Sequence, residues 1–476
     1  MVKIARGNLL TLILLLLMIP LSSFAQLAWP EPDNTSFSVN TEQHLQDTTI
    51  FLPITLQPPG DPTVLGLELE EYWNTELLNL ATQAGVDWIR RNGVVWQNIE
   101  AVEGVRDWSV MAPIESEMIQ LSQRNVKLIL IVRGVPDWAK TEAGHVCGPI
   151  AQAKFSAFAS FMGELVERYS RPPFNVRYWE LGNEPDFPYS DRDISFGCWG
   201  DVTDDYYGGG YYGEMLKVIY PAMKEANPEA QVLIGGLLMD CDPRNPPEGK
   251  DCTGSKFLEG IIRSGAGSAF DGVSYHSYDY YNGFLGSYCN PNWGASSSST
   301  GPTLGKKAEY LSSVLEQFNI SDKYLINTEN ALLCNNYTCD DTFERTKAIF
   351  AARSYSQSTV YDITASIWYS FKGIWQSTRL VNNSNTPLPA YHAFSTANKH
   401  LSETVYIRQI PSEKATIYEF SGRSGRKWVL WSVDGRTQTV VLPGRPEKVW
   451  DGVGNPIIPD QVISVDALPV YIIWRD

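Results

Sequence analysis

The segment Arg177-Tyr-Trp-Glu-Leu-Gly-Asn-Glu-Pro-Asp186 decides how this chain is read. Val176, Tyr178 and Trp179 suit a strand, while Gly182, Asn183 and Pro185 break one. Glu184 therefore falls at the C-terminal tip of a strand, where an apolar run gives way to hydrogen-bonding and ionisable groups. In a parallel barrel that tip is where catalytic side chains gather.

Working outward, strand-like and helix-like runs alternate. The strand candidates are Gly66–Tyr72, Trp88–Trp96, Val126–Arg133, Val176–Leu181, Val232–Leu238, Gly272–Tyr278, Tyr324–Thr328 and Ala365–Ser370. Between them lie amphipathic stretches such as Lys154 to Tyr169, in which Phe155, Phe158, Phe161, Met162 and Leu165 recur at helical spacing and suit helix-on-sheet packing. Eight strands alternating with helices over residues 63–400 predict an α/β fold, a (β/α)8 TIM barrel, with a doubly wound sheet as the alternative. Past His400 the helical period stops. Short β-rich pieces (Ala415–Phe420, Trp428–Ser432, Thr437–Leu442, Val462–Val465, Val470–Trp474) separated by turn residues predict an antiparallel β-sandwich over 401–476.

The N-terminus has the pattern of a secretory signal over residues 1–25: Lys3 and Arg6, an apolar run from Leu9 to Leu21, and Ser23-Phe24-Ala25 as a cleavage site. Residues 26–62 form an approach segment with one candidate strand at Thr48–Thr55. Loss of Lys3 and Arg6 with the signal leaves 36 basic residues against 54 acidic ones. So acidic a surface disfavours nucleic acid, whose binding depends on Lys and Arg neutralising phosphates, and favours neutral substrates. After signal cleavage no segment is long and apolar enough to span a membrane. The expected location is secreted or periplasmic.

Seven cysteines in an exported chain suggest disulfides with at least one thiol left over. The local pairs are Cys241 with Cys252 and Cys334 with Cys339; Cys147 with Cys198 is then a longer cross-link, and Cys289 is odd. No Cys-x-x-Cys pair supports a zinc site, and neither a metal nor an organic cofactor is expected.

Cleaving a glycosidic bond requires two carboxyl groups flanking it, one protonated and one ionised. The partner for Glu184 is Glu329 in Tyr324-Leu-Ile-Asn-Thr-Glu-Asn330, where an apolar strand again ends in an acid. Glu184 ends the fourth strand and Glu329 the seventh, and these lie across a barrel mouth from each other. Neighbouring acids push each other's pKa values apart, so one serves as acid while the other stays ionised.

With Asn183-Glu184-Pro185 after strand four and Glu329 after strand seven, the chain resembles the retaining glycoside hydrolases of clan A. Arg91 followed by Trp96, Glu100, Gly104 and Trp108 resembles their second-strand pattern, and Gly134-Val-Pro-Asp-Trp138 their third-strand loop. Ser274-Tyr-His-Ser-Tyr278 resembles the sixth strand, Ile367-Trp368 the eighth, and Pro389-Ala-Tyr391 the helix that follows. The tail resembles the accessory sandwich of cellulase-like and family-39-like members.

The resemblance implies Glu184 as acid/base and Glu329 as nucleophile. It implies that Asn183 binds the sugar 2-hydroxyl, that Arg91 and Tyr278 support the nucleophile, that His276 lines the cleft and that Trp368 stacks on a pyranose. Trp96 and Trp138 join the substrate-binding set, with Trp199, Trp293 and Trp375 as candidates for outer subsites. The expected partner is a carbohydrate with β-glycosidic bonds. A silent carbohydrate-binding protein on the same scaffold, or a transglycosylase, is the alternative.

Overall fold

The computed structural model describes residues 62–69, 74–145, 147–188, 197–294, 303–423 and 425–475, all within one compact unit, Gln57–Asp476. The expected signal, approach segment and Thr48–Thr55 strand lie outside the described residues.

Eight parallel strands form the barrel: β1 (Val64–Glu68), β2 (Trp88–Val95), β3 (Lys127–Arg133), β4 (Tyr178–Asn183), β5 (Gln231–Leu237), β6 (Gly272–Tyr281), β7 (Tyr324–Leu333) and β8 (Ala365–Trp368). Each pairs with its sequence neighbour. β1 joins β8 in the register Leu65↔Ser366, and β5 joins β6 through Leu233↔Gly272, which closes the ring. The helices that follow the strands are α1 (Thr75–Gln83), α2 (Ala112–Gln123), α3 (Phe155–Tyr169), α4 (Gly209–Ala226), α5 (Phe257–Ile261), α6 (Thr303–Gln317), α7 (Asp341–Val360) and α8 (Pro389–Leu401). Side-chain caps mark where helices begin: Asn74 Oδ1 accepts from Leu77 N at 2.9 Å, and Asp340 Oδ1 accepts from Thr342 N at 2.9 Å.

Alternation along each strand divides the barrel into two cores. Trp88, Ile129, Leu233, Ile326, Ala365 and Ile367 fill the lower interior. The intervening residues, among them Ile89, Leu128, Leu130, Trp179, Leu181 and Val232, face outward into the layer beneath the helices. The aromatic stripe of α3 belongs to that layer: Phe158 and Phe161 pack on Trp96, with centroids 4.7 and 5.5 Å away. Each such ring contributes roughly 1.5–3 kcal/mol by leaving water.

Above the apolar interior layer the inner face turns polar, with Glu68, Arg90, Glu180 and Thr328 completely buried.

The C-terminal strands are β9 (Thr404–Ile410), β10 (Ala415–Gly422), β11 (Gly425–Ser432), β12 (Gln438–Val441), β13 (Lys448–Asp451), β14 (Pro456–Ile457), β15 (Val462–Val465) and β16 (Val470–Ile473). They form a six-stranded antiparallel sheet in the order β9-β10-β11-β16-β13-β14 and a two-stranded sheet, β12-β15. Period-two patterning again sorts the side chains. Ile417, Leu430 and Ile472 pack toward the second sheet, while Tyr418, Phe420, Val429, Trp431 and Tyr471 join the barrel's outer core. Arg353 of α7 donates to Ala467 O at 2.9 Å across the same junction.

Disulfides join Cys147 to Cys198, Cys241 to Cys252 and Cys334 to Cys339, and Cys289 is free. No helix among the described residues is long and apolar enough to cross a membrane.

Candidate active site

The last residues of β4 explain how Glu184 is presented. Gly182 takes a positive φ of 90°, which L side chains rarely adopt, and Asn183 thereby turns toward Arg90. Glu184 is itself left-handed (φ 49°) and donates its backbone N–H to Gly236 O on β5 at 2.9 Å. Asp186 anchors the turn by accepting from Leu238 N at 2.8 Å and Met239 N at 2.7 Å, and burial raises its pKa to about 6.

Glu329 arrives by a different device. Thr328 points into the barrel, where its hydroxyl donates to Glu180 Oε1 at 3.0 Å, so strict alternation would send Glu329 outward. The pairing of β6 with β7 slips between Tyr275↔Asn327 and His276↔Glu329, and this bulge turns Glu329 inward as well. Glu329 Oε1 accepts from Arg90 Nη1 at 2.6 Å, and its Oε2 accepts from the Tyr278 hydroxyl.

Arg90 is the hub of the site. Its Nε donates to Glu180 at 2.6 Å, Nη1 to Glu68 at 2.7 Å as well as to Glu329, and Nη2 to Asn183 Oδ1 at 2.6 Å. A planar five-donor fork suits this task better than an ammonium. The sequence-based choice of Arg91 is corrected here: Arg91 lies on the outer face and forks onto Glu117 of α2 at 2.7 and 3.2 Å. Since Trp88 faces the interior, Arg90 two residues later does too, and Arg91 cannot.

His276 lies between the two acids, its Nδ1 2.9 Å from Glu184 Oε1 and its Nε2 3.5 Å from Glu329 Oε1. Burial, reinforced by the charges of Arg90 and Lys307, drives its pKa well below the usual histidine value, so the imidazole is neutral.

Burial raises both carboxyl groups, but to different extents. At Glu184 the charges of Glu329 and Asp186 add to burial and lift the pKa well above the carboxylate range. At Glu329 the Arg90 charge and the Tyr278 hydrogen bond oppose burial. These influences favour the proton on Glu184 over Glu329, because the hydrogen bonds of Arg90 and Tyr278 stabilise the charged form of Glu329 alone.

The donor atoms of Glu184, His276 and Glu329 lie within 4.8 Å of one another, a spacing able to hold a metal ion. The Arg90 guanidinium in contact with Glu329 sets a fixed positive charge against any cation there.

The aromatic candidates separate. Trp368 is fully buried on the outer face of β8, packed near Phe350 of α7 at 6.0 Å, with its indole N–H on Thr378 O at 2.7 Å. It cannot stack on a sugar, because Ile367 takes the inward position. Trp96 and Trp138 meet edge to face at 5.3 Å and are tied to Glu100, so they buttress the loops after β2 and β3. Trp293 is buried on Met239 O at 2.7 Å, and Trp199 is nearly buried. Trp375 is different: it is 42% exposed and lies 5.7 Å from Tyr278 and 5.2 Å from Tyr369. Beside Trp96 and Trp199, between β3 and β4 and the helices α3 and α4, is a small pocket of about 60 Å³ lined by Phe158, Leu181, Tyr212 and Met215 and reaching Arg133 and Asn183.

Glu68, Glu180 and Arg133 were not singled out from the sequence. Glu68 and Arg133 each stand at the end of an apolar run, a signal that a search for further charged strand tips would have caught, whereas Glu180 lies inside β4.

No family model matches the chain, and no curated protein matches it in sequence. Solved structures do match. A family 39 glycoside hydrolase from the gut symbiont Bacteroides cellulosilyticus WH2 is 17% identical with a TM-score of 0.65, over 87% of this chain and 81% of that one. A family 30 subfamily 8 xylanase from Clostridium acetobutylicum is 12% identical with a TM-score of 0.59, over 87% and 97%. A monomeric β-xylosidase from Caulobacter crescentus CB15 is 14% identical with a TM-score of 0.56, over 87% and 97%. This chain thus shares the fold of solved glycoside hydrolases of families 39 and 30.

Proposed function

We propose that this chain is a retaining glycoside hydrolase acting on β-linked oligo- or polysaccharides, with Glu184 as acid/base and Glu329 as nucleophile. The observation that carries the reading is the pair itself: two opposed carboxyl groups with oxygens within 4.8 Å, one biased toward the protonated form and one held ionised by Arg90 and Tyr278. Retaining enzymes hold their carboxyl groups about 5–5.5 Å apart, whereas inverting enzymes need a wider gap for water.

In the first step a Glu329 oxygen bonds to the anomeric carbon as the glycosidic C–O bond breaks, and Glu184 gives its proton to the leaving oxygen. In the second, Glu184 takes a proton from water, whose oxygen displaces Glu329. Arg90 holds Asn183 Oδ1 at 2.6 Å, which directs the Asn183 amide N–H toward a sugar 2-hydroxyl. Neutral His276 offers no competing positive charge and keeps Glu184 oriented. Trp375, with Tyr278 and Tyr369 behind it, supplies the stacking platform. The three disulfides support an extracytoplasmic location.

The test is hydrolysis of a panel of aryl β-glycosides and polysaccharides by the purified protein beside Glu184→Gln and Glu329→Gln. The wild type should turn over at least one substrate, with each variant slower by about 10³-fold or more. Sugar binding without turnover, equal in all three proteins, would refute it.

A further inference from the structure

Behind Glu329, on the outer face of the barrel wall, three polar side chains are buried: Asn327 and Asn330 of β7 and Ser277 of β6. The two asparagines bracket the bulge that presents Glu329. On β6 the outward residues Tyr275 and Ser277 are two positions apart, and so are Ser366 and Trp368 on β8. Their partners on β7, Asn327 and Asn330, are three apart. β7 thus carries one residue more than either neighbour over this stretch, which is why Thr328 and Glu329 both face inward.

A bulge has a competitor in the regular register. Pairing without the extra residue would restore alternation and send Glu329 outward, away from Arg90 and Tyr278. The buried cluster opposes that slip. The Ser277 hydroxyl lies 3.2 Å from Asn327 Oδ1 and 3.3 Å from Asn330 Oδ1, so one group on β6 ties both ends of the bulge. Asn327 Nδ2 donates to Tyr275 O at 3.2 Å. Asn330 Nδ2 donates to Ser354 Oγ of α7 at 3.2 Å, and Ser354 donates in turn to Ala351 O at 3.1 Å.

This cluster lies in an apolar setting: Trp368, which pairs with Asn330, and Phe350 beside it belong to the outer core. Polar groups there cost about 1–3 kcal/mol each when unsatisfied, whereas a connected set favours the one chain arrangement that satisfies it. In a regular strand, residues three apart fall on opposite faces, so without the bulge Asn327 and Asn330 could not share Ser277.

We propose that Ser277, Asn327 and Asn330 are positioning residues, whose shared hydrogen bonds on the outer face fix the bulge in β7 and thereby hold the Glu329 carboxylate against Arg90 and Tyr278. The inference rests on the glycosidase reading for what Glu329 does, but not for where it is held.

Four variants test it. Ser277→Ala deletes one hydroxyl, Asn330→Ala removes one end of the clamp, Ser277→Thr keeps the hydroxyl, and Ser356→Ala takes a different buried hydroxyl from α7. On an aryl β-glycoside, Ser277→Ala and Asn330→Ala should lower kcat by about 10²-fold with KM little changed, the scale expected when a reacting group shifts by about 1 Å. Ser277→Thr should restore most of the rate, and Ser356→Ala should match wild type. Arg90, Tyr278, His276, Glu184 and Glu180 face Glu329 and are unaltered in all four. In the first two variants the acidic limb of kcat/KM should move to higher pH, because Glu329 retreats from the Arg90 charge and Tyr278 hydroxyl that favour its ionised form.

NMR titration of isotope-labelled glutamate carboxyls, with Glu329 assigned through Glu329→Gln, reads the same displacement without turnover. A Glu329 titration unmoved in Ser277→Ala, or an equal loss of rate in Ser356→Ala, would overturn the proposal. If Asn330→Ala does not fold, Ser277→Ala decides alone. A shifted titration in a protein that hydrolyses no glycoside would leave this inference standing and remove the glycosidase reading instead.

Discussion

Replacing Arg90 by lysine, with Arg91→Met as its counterpart, tests the electrostatic core of the site. Arg90 satisfies four acceptors on four residues from three nitrogens: Glu180 from Nε, Glu68 and Glu329 from Nη1, and Asn183 from Nη2. A lysine ammonium keeps the charge but radiates three donors from one point, so at least one acceptor loses its bond and Asn183 loses its fixed orientation. A hydrogen bond to a charged group contributes about 1.5–3 kcal/mol. Losing one or two puts the transition state up by roughly 3 kcal/mol, about 10²-fold in kcat/KM at ~1.4 kcal/mol per decade. Arg91→Met removes only the fork onto Glu117 of α2. It should cost about 1–3 kcal/mol of stability by thermal melting and leave kcat/KM near wild type. Initial rates on one aryl β-glycoside across the three proteins decide. Loss of activity in Arg91→Met with Arg90→Lys unaffected would refute the register and the role given to Arg90.

Glu184 also makes stability depend on pH, because its folded pKa is raised above the unfolded value. Below the unfolded pKa both states are protonated. As pH rises past it the unfolded state ionises first, and folding loses stability until the folded pKa is reached. Glu184→Gln should therefore melt higher than wild type at pH 7–8 and equal to it near pH 4, and a gap independent of pH would contradict this. The tryptophans should part company. Trp368→Ala opens the outer core and should cost about 3–5 kcal/mol of stability, whereas Trp375→Ala should leave melting unchanged and raise KM about tenfold, consistent with a lost stacking surface of ~1.4 kcal/mol. An unaltered KM would remove Trp375 from the substrate path.

The fold was legible because apolar runs of strand length recur between helical ones, and two of those runs end in carboxylates. The sequence marks Glu184 and Glu329 since Gly182 and Pro185, and the polar residues around Glu329, interrupt otherwise buried strands. What escaped is side-chain direction. Arg90 and Arg91 are chemically identical neighbours, and only the interior placement of Trp88 shows which one faces the acids. Trp368 was misplaced for the same reason, since Ile367 fills the inward position. Alternation alone would also have misled at Glu329, where the bulge lets Thr328 and Glu329 both face inward. The cysteine pairs followed from proximity in sequence for two of the three bridges, and the third was left by subtraction.

The central claim is that Glu329 forms a covalent bond to the sugar while Glu184 handles the proton. Incubation with an activated 2-deoxy-2-fluoro β-glycoside slows breakdown of such an intermediate and lets it accumulate. Intact-mass and peptide mass spectrometry should then find one added glycosyl group, on the peptide containing Glu329 and on that residue, with no labelling in Glu329→Gln. An adduct on Glu184, or turnover of the corresponding glycoside with inversion of the anomeric centre and no adduct at all, would contradict the account.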